Sequence, residues 1–135
     1  MGYKIAEIEG IGDVYAEKLA GVKVTNTDQL LAMCCDKKGR SKVAEESGIS
    51  EKLLLSWANK ADLMRLKGIG SEYSDLLEAA GVDTVKELRT RNAANLTAKL
   101  AEVNEAKKLT RAVPAESVVT GWINEAKETE PKITH

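Results

Sequence analysis

The stretch "EGIGDVYAEKL", residues 9–19, recurs as "KGIGSEYSDLL", residues 67–77. Each copy sets Gly-Ile-Gly ahead of a Tyr three residues on and a Leu four after that. Laid without gaps at an offset of 58, Gly10, Ile11, Gly12, Tyr15, Leu19, Val24 and Leu30 fall on Gly68, Ile69, Gly70, Tyr73, Leu77, Val82 and Leu88. Matches that are all apolar, aromatic or glycine mark a duplication rather than shared helical composition. The likeness continues more loosely: "KVAE" at 42–45 answers "KLAE" at 99–102, and "WANKA" at 57–61 answers "WINEA" at 122–126. The chain therefore reads as two units in tandem, residues 1–65 and 66–128, with a tail at 129–135 that is expected to fray.

Within each unit the pattern is helical. Apolar residues recur at spacings of three and four, as in Leu53, Leu54, Trp57, Ala58 and Ala61, and Phe is absent. This predicts an all-α fold of about eight to ten short helices. Start signals precede the apolar runs: Thr25 to Asp28 before "QLL", Ser50 before "EKLLLSW", Thr84 with Glu87 as a capping box, and Pro114 before "AESVVTGWINEAK". Gly48 and Gly81 stand where a helix ends on a left-handed residue. Lys23 stands at the position equivalent to Gly81, so the first unit is expected to end its helix with a different turn. Trp57 and Trp122 are expected to seal the core of their own unit, with Tyr15 and Tyr73 packing between the units.

Two glycines around an isoleucine make a tight turn in which backbone approaches its surroundings with no Cβ in the way. Ile11 and Ile69 turn inward as anchors in this reading. The N–H groups opening the next helix then point outward, the geometry that holds a phosphate oxygen. With a small residue four positions past the second glycine, Ala16 or Ser74, the pattern resembles the helix-hairpin-helix motif of DNA repair and replication proteins. In that family the hairpin grips the DNA backbone without reading sequence. From about residue 5 to 127 the chain is similar to a bacterial family of domains of unknown function built from paired helix-hairpin-helix units. The segment "LLEAAGVDTVKEL" also resembles part of the C-terminal domain of the bacterial RNA polymerase alpha subunit, a related DNA-binding fold. These resemblances imply two tandem helix-hairpin-helix units packed into one compact helical protein, and they imply fold more directly than function.

Composition narrows the classes of function. A chain of 135 residues, 43% hydrophobic and 30% charged, is long enough for one domain or two very small ones with a real core. No run approaches the roughly 18 to 20 apolar residues of a membrane span. The start, "MGYKIAEIEG", has acidic residues where a signal peptide carries its apolar stretch, so no membrane contact and a cytoplasmic location are expected. Ala6 stands where the myristoylation pattern requires Ser or Thr. Cys34 and Cys35 are adjacent, cannot staple distant segments, and read as half-buried helix packing. His135 is the only histidine, which leaves no material for a zinc site or a histidine-based triad. The carboxylates are scattered, without a matched nucleophile or a phosphate-binding P-loop, so neither a cofactor nor an enzymatic activity is expected.

Charge separates the two Gly-Ile-Gly turns. Around Gly10, Ile11 and Gly12 stand Glu7, Glu9 and Asp13, which repel a phosphate, so this turn is read as structural. Arg65 and Lys67 precede Gly68, Ile69 and Gly70, and Ser71 adds a hydroxyl, although Glu72 and Asp75 follow. Residues 36–67 carry eight positive and five negative charges and form the one clearly basic segment. Lys37, Lys38, Arg40 and Lys42, with Lys60, Arg65 and Lys67, read either as an electropositive face running into the second turn or as a solvated helix surface offset by Glu45 and Glu46. Against the former, a net charge of −1 is unusual for a strong nonspecific DNA binder. The stretch "KVAEESGISEKLLLSWANKA" also has the spacing of a helix-turn-helix, whose second helix would offer Lys52, Ser56, Asn59 and Lys60, although the same geometry is an ordinary way to pack two helices. Two functions follow. One is a non-enzymatic accessory protein that binds the phosphate backbone of nucleic acid, DNA or RNA, without sequence preference through the second turn. The other is a protein-interaction or scaffold module in which the hairpins serve helix contacts and the acidic first unit meets a partner.

Overall fold

The computed structural model describes residues 3–134. Among these the fold is all-α, eight α-helices and one 3-10 turn, and the only strand-like pairing is an isolated antiparallel bridge between Lys4 and Asn26. The 3-10 turn Ile5–Glu7 leads through the first Gly-Ile-Gly into α1 (Asp13–Gly21), α2 (Thr27–Cys34), α3 (Lys37–Ser47) and α4 (Glu51–Leu63). The second Gly-Ile-Gly opens α5 (Ser71–Ala79), followed by α6 (Val85–Leu88), α7 (Ala93–Lys107) and α8 (Glu116–Glu128). Side-chain oxygens of Asn26, Asp36, Ser50, Thr84 and Asn92 accept from the first-turn amides of α2, α3, α4, α6 and α7. The box expected at Thr84 is half made: Thr84 accepts from the Glu87 N–H at 3.2 Å, but the Glu87 carboxylate is taken by Arg91 at 2.6 Å.

Two apolar cores form, and they divide at the end of α4. Met64 belongs to the first with Ile5, Ile8, Ile11, Leu19 and Trp57, whereas Leu63 belongs to the second with Leu66, Ile69, Leu77 and Trp122. The offset of 58 accounts for this, because Ile5, Ile8, Ile11 and Leu19 fall on Leu63, Leu66, Ile69 and Leu77. Each tyrosine packs on the tryptophan of its own core: Tyr15 on Trp57 with centroids 5.1 Å apart, Tyr73 on Trp122 at 5.2 Å. The expected packing of the tyrosines between the units is thus corrected. A tyrosine one turn into the helix faces the indole that closes the same core, and edge contacts between the rings hold it there.

The helix ends are also alike where the sequence differs. Gly81 takes φ 94°, and Lys23 takes φ 67° at the equivalent position. Val24 donates to the Leu19 carbonyl at 2.8 Å, as Val82 does to Leu77 at 2.8 Å. The expectation of a different turn at Lys23 is therefore overturned: packing of Val24 and Val82 fixes the same backbone path, and a lysine is held in the left-handed region to follow it.

In the tail at 129–135, expected to fray, Ile133 and Thr134 are anchored to the first unit, and His135 lies outside the described residues. Ile133 is buried in the first core, the Thr134 N–H donates to the Cys35 carbonyl at 2.7 Å, and Arg40 donates to the Thr134 carbonyl at 2.8 Å. Polar composition suggested fraying, but a single isoleucine with two backbone anchors is enough to seat a short segment. Among the described residues no helix is long and apolar enough to cross a membrane.

Candidate functional site

The two Gly-Ile-Gly turns are built by the same forces. In the second, Ile69 is buried and its N–H donates to the Leu66 carbonyl at 3.2 Å; in the first, Ile11 is buried and donates to Ile8 at 3.1 Å. Gly68 and Gly10 take φ 88° and 95°, where a side chain is strained, and each sits against the indole nitrogen of its tryptophan. Gly70 and Gly12 are extended N-cap residues of α5 and α1, and neither helix has a side-chain cap. A Cβ at Gly12 or Gly70 would meet nothing within 4 Å, so both helix starts are open to approach from outside.

The groups around these openings, however, are engaged with one another. The Glu9 N–H donates to the Ser71 hydroxyl oxygen at 3.0 Å, which brings the two turns side by side. Lys60 reaches the Glu9 carbonyl at 3.4 Å and pairs with Asp75 at 2.8 Å, so one ammonium from α4 bridges the first turn and α5. At the position in the second turn equivalent to Glu9, the Lys67 N–H donates to both carboxylate oxygens of Glu125, at 3.1 and 3.2 Å. An internal carboxylate thus occupies the amide just before Gly68.

Of the basic residues expected to form one face, the structure leaves some exposed and uses others internally. Lys37, Lys38, Lys42 and Lys67 are exposed. Arg40 is 3% exposed and donates to the Cys34 and Thr134 carbonyls, so it belongs to the interior and not to an electropositive surface. Arg65 pairs with Asp62, donating from Nε at 3.1 Å and from Nη2, and also donates to the Glu130 carbonyl at 3.1 Å. Lys60 is tied as described. The continuous face is therefore broken at Arg40, Lys60 and Arg65, because each spends its donors on carbonyls or carboxylates of the fold itself. The reading of α4 as a recognition helix is corrected for the same reason: Asn59 is buried and Lys60 is turned toward α5.

Other residues of the site were not singled out by sequence. Asp62, 1% exposed, accepts from the Val85 N–H at 2.8 Å through its second oxygen and so joins the end of α4 to the start of α6. Its i,i+3 spacing to Arg65 was the available signal. Glu125 carried none, since its partner is a backbone amide 58 residues away. Near Asp75, burial pushes the Glu78 carboxyl above its usual range, Lys60 opposes this, and Asp75 and Asp83 add to it. At the other end of the first core, burial raises the Cys34 thiol to about 11 against the pull of Arg40. Among the described residues no group of three or more His, Cys, Asp or Glu side chains is placed to hold a metal ion.

Residues 9–129 match the family model described as a domain of unknown function, DUF4332. No curated protein and no solved structure matches the chain.

Proposed function

We propose that the chain, which belongs to the DUF4332 family, is a non-enzymatic protein-interaction module made of two helix-hairpin-helix units whose hairpins serve internal contacts. The observation that carries this reading is the hydrogen bond from the Glu9 N–H to Ser71 Oγ at 3.0 Å, which spends polar groups of one turn on the other. The Lys60 bridge to Asp75 and the Glu125 cap on the Lys67 amide support it in the same way. A phosphate at the second turn would have to displace or sit beside Glu125, and like charges at such distances repel strongly wherever water is partly excluded. Around the first turn and the start of α1 acidic side chains flank an apolar spot: Glu9, Asp13 and Glu17 are exposed, and Val14 is 67% exposed. A partner with basic and apolar groups matches that surface.

Nucleic-acid binding stays as the second reading on one observation, the uncapped start of α5 with open space at Gly70 and an exposed Lys67. Titration of a labelled short DNA duplex by fluorescence anisotropy at about 50 and about 200 mM salt separates the two. The interaction module predicts no salt-sensitive binding up to about 100 µM protein, the weak end of nonspecific DNA affinity. Binding that weakens with salt, and weakens again in Lys67→Ala, overturns it in favour of the phosphate-binding hairpin.

A further inference from the structure

Among the described residues three large apolar side chains stand out from the surface: Val14 at 67% exposed, Val113 at 38% and Val118 at 44%. They fall in two places of opposite charge. Val14 opens α1 in a stretch where the carboxylates of Glu9, Asp13 and Glu17 are exposed. Lys18 of the same helix lies 5.9 Å from the Tyr15 centroid, and Lys60, which reaches the Glu9 carbonyl, pairs with Asp75. Val113 lies in the loop 108–115 and Val118 in the first turn of α8, where Lys107, Lys108 and Arg111 are exposed against the single carboxylate of Glu116.

An exposed valine by itself is ordinary. These stand where the two units differ. Val14 falls on Glu72 at the offset of 58. Val118 precedes Trp122 by the same interval as Leu53 precedes Trp57, yet Leu53 packs against the first core. Residues 48–50 suffice to join α3 to α4, whereas the longer loop 108–115 joins α7 to α8. That loop is held in place: Asn104 donates to the Thr110 carbonyl at 3.1 Å and accepts from its N–H at 2.9 Å, Leu109 packs on the second core, and Tyr73 donates to the Ala112 carbonyl at 3.5 Å.

We propose that the two places are the halves of one interface between copies of this chain, Val14 and its carboxylates on one copy meeting Val113, Val118 and the basic loop of the next. The inference rests on the interaction-module reading and names the partner. Opposite charge around an apolar centre orients such a contact, and like charge rejects acidic on acidic or basic on basic. Because the halves lie on different units, the contact is heterologous, head to tail. A loop already fixed loses little freedom on docking. Exposed ion pairs contribute little each, so the association is weak, with a Kd of about 0.1 to 0.5 mM.

The test is sedimentation equilibrium of the whole chain from about 10 µM to about 1 mM, at about 50 and about 300 mM salt. The average mass is expected to rise with concentration, and to rise less at the higher salt. Asp13→Lys and Arg111→Glu, both at exposed positions, should each lower the association severalfold. Mixing these two variants should restore it, because the reversed half of each fits the reversed half of the other. Val14→Ser and Val118→Ser should weaken it too, while Lys42→Ala, outside both halves, should not. A mass that stays monomeric up to about 1 mM at the lower salt overturns the proposal. So does association that the charge reversals leave intact or that the mixture fails to regain. Failure here hands the acidic half to a different protein, whereas salt-sensitive DNA binding alone would bring down the interaction reading.

Discussion

Arg40 donates to the Thr134 carbonyl at 2.8 Å and to the Cys34 carbonyl at 3.0 Å, so one buried guanidinium holds the end of the chain to the end of α2. Beside it Ile133 fills a place in the first core, although α8, the helix that precedes it, packs in the second. Ile133→Ala should lower stability by about 2 to 3 kcal/mol, the lower part of the range for truncating a buried isoleucine. Urea unfolding followed by circular dichroism measures this. An unchanged midpoint would mean that the tail does not dock.

Lys23 and Gly81 make a matched pair for a second measurement. A non-glycine residue in the left-handed region costs about 1 kcal/mol, so Lys23→Gly should stabilise the protein by roughly that amount, less the entropy that glycine adds to the unfolded chain. Gly81→Ala should destabilise by about 1 kcal/mol. The two changes have opposite signs only if the turns share one backbone path.

How far the sequence carried depended on whether a feature was local. The Gly-Ile-Gly turns, the buried Ile11 and Ile69, the caps at Ser50 and Thr84 and the helical fold follow from spacing, because hydrophobic periodicity and capping act within a few residues. Arg40, Lys60 and Arg65 were misplaced for the opposite reason. Charge in a sequence reads as free surface, whereas each of these finds a partner on another segment: the Thr134 carbonyl, the Asp75 carboxylate and the Glu130 carbonyl. Asn59 and Ile133 were likewise invisible until α5 and the tail had closed over them.

Gly39 illustrates a contact of that kind within α3. A Cβ built there would lie 2.0 Å from the Met33 carbonyl oxygen, a backbone atom that cannot turn aside. Gly39→Ala should therefore cost about 1 to 3 kcal/mol, in spite of the better helix propensity of alanine. A neutral or stabilising result in thermal unfolding would mean that α2 and α3 separate at little cost.

The two thiols should differ in reactivity. Cys34 is fully buried, and burial raises it to about 11, so almost no thiolate forms near pH 8. Cys35 is only partly buried. Ellman's reagent at that pH should label one thiol in the folded protein and two in denaturant, and Cys35→Ser should abolish the fast one. Rapid labelling of Cys34 in the folded Cys35→Ser variant would contradict the packing of α2 against the first core.

Glu78 gives a pH dependence whose sign is fixed. Burial, with Asp75 and Asp83 adding and Lys60 opposing, lifts its carboxyl above the usual range. A carboxyl whose pKa is higher in the folded than in the unfolded chain binds its proton more tightly when folded. Its stabilising contribution is fully present below the unfolded pKa and is lost as pH rises through the folded one. Glu78→Gln removes this titration. The variant should therefore be more stable than the wild type near pH 7, and the difference should shrink on acidification toward about pH 4, the ordinary glutamate range. Because Glu78 is itself an exposed residue, the gain is modest, and urea midpoints of both proteins across that pH window measure it as a difference in which the other groups cancel. A difference that does not change with pH would rule out Glu78 as the titrating group.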